Sequence, residues 1–253
     1  ISKVELLIGG QVIDEQTSQF SQYIAPSVLA QNLTKSTSGF AEVAESKFYP
    51  LRFSFCENSQ TAIPLVALQY HDVELRITWG TNLDGATYEV YSQFIHLDTD
   101  ERTALSSTPQ NMLITQTQKA IASASKTQEL NFNHPMKYLV AVNAMTDVGA
   151  TPDKMKLQIN GTDVTDAKTV IPHFTSAPIY YHTTAGDCSA DNLTLIPFCL
   201  DTAKVQPTGS LNFSRLDSAR LVSDKTSFAN TIYAVNYNIL RIENGMGGLM
   251  YSN

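Results

Sequence analysis

The sequence predicts an all-β fold made of two tandem copies of one β-module. Three observations predict it. Short runs of alternating apolar and polar residues recur along the chain, bounded by Gly, Pro, Asn and Ser. Val, Ile, Thr, Tyr and Phe are plentiful, and these residues suit a pleated, half-buried surface. The chain also repeats itself.

The repeat is visible in three ordered pairs of segments. Lys3-Val-Glu-Leu-Leu-Ile-Gly-Gly10 matches Lys154-Met-Lys-Leu-Gln-Ile-Asn-Gly161. Phe55, Cys56, Pro64, Leu68, Tyr70 and Val73 fall opposite Phe198, Cys199, Pro207, Leu211, Phe213 and Leu216. Tyr88 to Leu97 runs parallel to Tyr233 to Ile242. The spacings are 151, 143 and 145 residues, so one offset nearly accounts for all three. The copies join near Thr103 to Pro109. The second copy has a long stretch ahead of its Lys154 motif. The first has two residues ahead of Lys3, so it is expected to lack its opening strands.

Strands are expected over 3–8, 50–56, 65–69, 72–78 and 87–97 in the first copy. In the second they are expected over 112–118, 128–133, 137–142, 154–159, 178–182, 193–199, 210–214, 216–223 and 231–242. Gly9-Gly10 and Asn160-Gly161 are tight-turn residues, because positive φ is cheap there. Pro64 and Pro207 lack an N–H for a ladder and are placed where strands begin. Gly209 is read as a further structural turn. One short helix is expected from Glu15 to Tyr23, capped by Asp14, ended by Pro26 and lying over a barrel end. A module of this size and strand count fits a jelly roll. The expected division is 1–108 for the latter part of a first jelly roll and 109–253 for a complete second one.

Composition narrows the function. Charged residues are 16% of the 253 residues, and the net charge is −7 with no basic run, so no direct nucleic-acid binding is expected. No apolar run is long enough for a membrane-spanning helix. The start at Ile1 shows no signal-peptide pattern and reads as the interior of a longer gene product. Cys56, Cys188 and Cys199 form no metal-binding spacing and are expected to be reduced and buried.

Longer motifs bring a resemblance. Phe48-Tyr-Pro-Leu51 and Ala62-Ile-Pro-Leu-Val-Ala-Leu-Gln-Tyr-His-Asp-Val73 resemble the first-barrel signature of the major capsid proteins of nucleocytoplasmic large DNA viruses, of the chlorella-virus (phycodnavirus) type. His96-Leu-Asp-Thr-Asp-Glu-Arg-Thr103 is similar to that family's linker between barrels, and Leu130-Asn-Phe-Asn-His-Pro-Met-Lys-Tyr-Leu139 to the start of its second barrel. Gln206 to Arg215 and Asn236 to Leu249 resemble its C-terminal region. The resemblance implies tandem double jelly-roll barrels and a shell subunit rather than an enzyme, with no cofactor. It further implies homotrimers of nearly hexagonal outline tiling an icosahedral lattice, minor capsid and penton proteins as partners, an internal viral membrane nearby but not penetrated, and assembly in the host cytoplasm. Family members carry a further N-terminal stretch that this sequence lacks.

Other readings are weaker. His96, Asp98, Asp100 and Glu101 lack the fuller ligand set and turn glycine of a calcium loop. His71-Asp72 has no nucleophile motif beside it, and the two side chains are expected on opposite faces of a strand. Gly245-Met-Gly-Gly248 has no following helix to bind phosphate and reads as a close-packed turn. Sequons occur at Asn32, Asn160, Asn192 and Asn212, of which Asn32 is the best placed for glycosylation. A carbohydrate-binding β-sandwich would need exposed aromatics near a loop cluster of acids, and Trp79 is the sole Trp. A cupin-like metalloenzyme would need clustered histidines, and His71, His96, His134, His173 and His182 are scattered. A minor capsid paralogue is the remaining alternative.

Overall fold

The computed structural model describes residues 1–32, 35, 48–81, 87–142, 153–184, 193–225 and 227–252. The described elements are mostly strands: β1 Lys3–Ile8, β2 Gln11–Thr17, β3 Val73–Thr78, β4 Gln110–Ala120, β5 Thr127–Glu129, β6 Pro135–Val142, β7 Lys154–Ile159, β8 Thr162–Asp163, β9 Lys168–Thr169, β10 Leu193–Pro197, β11 Leu211–Asn212, β12 Ala219–Ser223, β13 Ile232–Glu243 and β14 Met246–Leu249. Contacts divide the chain into two compact units. The first holds 1–18, 53–114 and 238–252, and the second holds 19–52, 115–237 and 253.

In the first unit, Gly9-Gly10 turns the chain so that β2 folds back antiparallel on β1. β3 pairs with the other side of β1, giving the order β2-β1-β3. This corrects the start of the helix expected over 15–23, which is present from residue 18 onward. Residues 11–17 have a strand partner immediately available across a glycine turn, and that pairing outweighs an Asp14 cap. Helical backbone begins at Ser18 and continues as a π turn at Phe20–Ile24 and an α turn at Ala25–Val28. Pro26 does not end it. It sits in the first turn of the α segment, where its missing N–H has no partner to lose. Five of its residues (Phe20, Ile24, Ala25, Val28 and Leu29) pack against the face of β6 and β13, not over a barrel end.

Three more expected strands take other forms. Residues Ser54–Glu57 make one helical turn, and Leu65–Ala67 a 3-10 turn that follows Pro64, so Pro64 does not begin a strand. Ser176–His182 is helical, with Pro178 in its first turns. Short apolar runs carry no periodicity that separates strand from helix. Residues 87–98 are described without any ladder pairing. The helix that follows, Thr99–Ser107, starts at Asp98 in a capping box with Glu101, so this part of the linker is helical.

The second unit is a sandwich with a further layer. β10, β6 and β13 lie side by side in one sheet, with β11 beside β6 and β4 beside β13. β5, β12, β7 and β8 form the other, with β9 beside β7. Pleating sends alternate residues of the first sheet to opposite faces. Leu139, Ala141, Ile232 and Ala234 join Met155, Leu157 and Leu221 between the sheets. Tyr138, Val140, Tyr233 and Val235 face outward and are covered by Phe20, Ile24, Val28 and Ile179. Phe20 and Tyr233 rings lie 5.6 Å apart, and the Tyr233 hydroxyl donates to Gln19 Oε1 at 3.0 Å. A strand buried on both faces reads as a continuous apolar run, which is the character of Tyr138–Val142 and Ile232–Val235.

Candidate functional site

The residues singled out by sequence are structural in their surroundings. Gly9 has φ +57° and Gly10 φ +79°, at the β1–β2 turn. A Cβ on Gly9 would lie 2.3 Å from His71 Nδ1, whereas at Gly10 it would meet open space. Asn160 (φ +50°) and Gly161 (φ +78°) make the corresponding β7–β8 turn. The Asn160 side-chain oxygen accepts from the amides of Asp217 and Ser218 at 2.9 and 3.1 Å, tying the turn to the segment before β12. Gly209 has φ +132°, and a Cβ there would come within 2.9 Å of the Phe198 carbonyl oxygen. Pro207 is exposed in the loop ahead of β11 and does not directly begin it.

The Gly9 pair yields a clean test. Gly9→Ala combines left-handed strain with the His71 clash and is expected to cost the first unit about 2–3 kcal/mol. Gly10→Ala carries the strain alone and should cost about 1 kcal/mol. Urea unfolding followed by amide exchange at β1 and β2 reads the difference.

The His71 ring contacts β14. Its Nδ1 lies 2.9 Å from the Gly247 carbonyl oxygen and 3.2 Å from the Gly247 nitrogen, while the Asp72 carbonyl accepts from the Gly9 amide at 3.0 Å. Gly247 allows this close approach: a Cβ there would lie 2.7 Å from Leu68 Cδ2 and 3.0 Å from Ile8 Cγ2. The Gly245–Gly248 run is therefore the β13–β14 turn and the start of β14, packed as a close turn should be. Among the described residues no group of three or more His, Cys, Asp or Glu is arranged for a metal ion. Cys199 is buried, Cys56 is exposed against expectation, and Cys188 lies outside the described residues. Asn32 is exposed, and its side-chain oxygen accepts from the Lys35 amide at 2.9 Å. The rest of its sequon, with Asn192, lies outside the described residues.

Two buried charges were not signalled by the sequence. Asp153 is 3% exposed and accepts from the Lys154 and Lys225 amides and the Ser223 hydroxyl, so it staples the start of β7 to the end of β12. Lys137 on β6 is 2% exposed. Its ammonium donates to the carbonyls of Thr202 and Lys204 at 3.0 and 3.2 Å and lies 5.2 Å from the Tyr237 ring centre. Burial lowers its pKa to about 8, against the opposing pull of Cys199 and Asp201. Burial also pushes the Tyr237 phenol up to about 12. The loop that Lys137 holds is fixed again from the other side. His182 Nδ1 faces the Cys199 and Leu200 carbonyl oxygens at 2.9 and 3.2 Å, so this nitrogen carries the proton. Neither charge belongs to a repeated motif, and a lone Lys or Asp in a strand gives no sign of being buried.

Sheets, glycine turns and internal clamps make up the described residues. The comparisons agree on the protein's kind. The model described as large eukaryotic DNA virus major capsid protein matches residues 101–248, and that described as major capsid protein N-terminus matches residues 1–133. The major capsid protein of Pyramimonas orientalis virus is 33% identical over 100% of this chain and 76% of its own length. That of Paramecium bursaria Chlorella virus 1 is 31% identical over 100% of this chain and 79% of its own. A chain from the solved PBCV-1 virus capsid superposes with a TM-score of 0.79 at 27% identity, covering 100% of this chain and 84% of that one. The protein is a double jelly-roll capsid protein in class. It belongs to the major capsid protein family of large eukaryotic DNA viruses.

Proposed function

We propose that this chain is a non-enzymatic shell subunit that assembles as a homotrimer of pseudo-hexagonal outline and tiles the icosahedral capsid of a large double-stranded DNA virus. The observation that carries the reading is the family match along the chain, from residue 1 to 248, with 33% identity to a viral major capsid protein over all of it. The physical features support it. A shell subunit needs rigid sheets, many fixed turns and faces left for neighbours. Tyr180 and Tyr181, at 72% and 75% exposure, and Leu200, at 74%, are large apolar side chains of the second unit left open to solvent. Such surface is costly unless an assembly covers it.

In this reading residues 1–108 supply the latter part of a first jelly roll and residues 109–253 a second. Minor capsid and penton proteins are the expected neighbours, the viral membrane lies beneath the shell without being entered, and assembly takes place in the host cytoplasm. The net charge of −7 suits a protein that does not coat DNA. Asn32 is the position proposed for any surface glycan. Sedimentation velocity and negative-stain electron microscopy test the function. The expected result is a trimer with a hexagonal outline. A monodisperse monomer at high concentration would overturn it.

A further inference from the structure

The two outer sides of the second unit differ in chemistry. One is the layer that covers the β6–β13 face. It includes the helix Ser176–His182, whose Ile179 joins Tyr138, Val140 and Tyr233 in the buried cluster. The same helix turns Tyr180 and Tyr181 outward, with their rings 5.0 Å apart in an edge-to-face pair. His182, at its end, meets Leu200. The ring Nδ1 donates to the Leu200 carbonyl at 3.2 Å, and the His182 carbonyl accepts from the Thr202 amide at 2.9 Å. Tyr180, Tyr181 and Leu200 are therefore neighbours, and all three are exposed. The other side is the outer face of the β5–β12–β7–β8 sheet, and it is polar. Arg220 donates to Gln158 Oε1 at 2.7 Å, Gln158 donates to Asp163, and Lys156 bridges Asp163 at 2.7 Å. That face pairs its own charges and suits water.

Leu200 stands on fixed backbone. Its amide donates to the Thr208 carbonyl at 3.3 Å, and its carbonyl is held by His182. Lys137 anchors the next part of the loop through Thr202 and Lys204. An apolar side chain held this way loses little freedom when it is covered. The set also carries no formal charge. The helix has no acid, lysine or arginine, and the two charged side chains of the loop, Asp201 and Lys204, pair with each other at 3.7 Å.

Size and chemistry choose the partner. An aromatic side chain offers roughly 150–250 Å², so two largely exposed tyrosines and a leucine present on the order of 400 Å². Two such patches face to face bury about 800 Å², short of the roughly 1,200–2,000 Å² of a stable pair. A contact of that size is weak alone and becomes firm through repetition in a lattice. A heterologous contact needs a matching apolar set elsewhere. On the strand connections of the second unit, the exposed Ile121 and Val164 stand at opposite edges of the second sheet, beside β5 and after β8, so neither makes a second cluster. An uncharged patch can instead meet its own copy across a two-fold axis without repulsion, even in a chain of net charge −7. A lipid surface is the poorer partner, because it favours lysine and arginine around the aromatic pair, and Lys204 is already paired.

We infer that Tyr180, Tyr181 and Leu200 form a self-complementary contact that meets the same patch of a second copy across a two-fold axis. The contact rests on the shell-subunit reading for its partner, and its small area suits the joining of one trimer to the next rather than the trimer itself.

The test uses the 253-residue chain at rising concentration, read by sedimentation velocity. Two variants carry opposite charge on the patch: Tyr181→Asp with Leu200→Asp, and Tyr181→Lys with Leu200→Lys. Both positions are exposed, so urea midpoints should match the wild type. Each variant alone is expected to keep the trimer and to raise the concentration needed for trimer–trimer pairing by about tenfold or more. Mixing the two should restore pairing, because acid then meets base across the axis. A patch that met a different surface would gain nothing from mixing. A mixture that fails to pair overturns the contact, as does loss of the trimer in either variant, or wild-type trimers that never pair. Flotation of the wild type, but not of the acidic variant, with phosphatidylcholine–phosphatidylserine vesicles would assign the patch to a membrane and overturn it too. A wild type that sediments as a monomer overturns the shell reading instead, and the same mixing experiment then decides the contact between monomers.

Discussion

Lys137→Ala is expected to destabilise the second unit by about 3 kcal/mol at pH 7. Two effects combine. The Thr202 and Lys204 carbonyls lose the ammonium donor, and the space once filled by the lysine stem is left beside Tyr237. Lys137→Met separates them, because it restores the volume without the donor, and it should recover about half of the loss. The pH dependence has a definite sign. The folded pKa, about 8, lies below the ordinary value of 10.5, so the unfolded chain holds the proton more tightly. Stability from this group is therefore fully present above pH 10.5 and is lost as pH falls through about 8. Between pH 8 and 10 the wild type should gain on Lys137→Met by on the order of 2 kcal/mol, measured by urea unfolding at each pH. A flat difference between the two proteins would show that the carbonyls and the ring hold the ammonium as well as water does.

Legibility followed locality. The turns at Gly9-Gly10 and Asn160-Gly161 were readable because positive φ restricts residue type at the turn itself. β1, β3, β7, β12 and β13 were readable, to within a few residues, because repetition marks them twice. The failures share one cause. Residues 11–17 pair because β1 sits across the turn, while 50–56, 65–69 and 87–97 do not form strands, having no neighbour to pair with among the described residues. Strand formation is decided by partners, and sequence propensity describes only one side of the ladder. The clamps were hidden for a related reason. Lys137 is buried because a loop more than sixty residues away closes over it, as its contacts with Thr202 and Lys204 show. Nothing around Met136-Lys137-Tyr138 announces that loop.

The same partner dependence locates the most sensitive apolar position. Leu139 is fully buried at the middle of β6, opposite Ile196 on one side and Ala234 on the other. Its side chain belongs to the cluster between the sheets that includes Met155, Leu157 and Leu221, held on elements from both layers. Neighbours fixed by two ladders cannot collapse into the space that Leu139→Ala opens, so the loss should sit in the upper half of the usual range, about 3–5 kcal/mol. Ile121→Ala is the contrast. Ile121 is 78% exposed, and its truncation should change stability by less than about 0.5 kcal/mol. Amide exchange in β6, β10 and β13 reads this better than a single melting temperature, because two compact units need not unfold together. If Leu139→Ala accelerates exchange in all three strands equally, the sheet opens as one cooperative element. Acceleration confined to β6 would mean that β10 and β13 stay in place without it, which their shared hydrogen bonds to β6 do not allow.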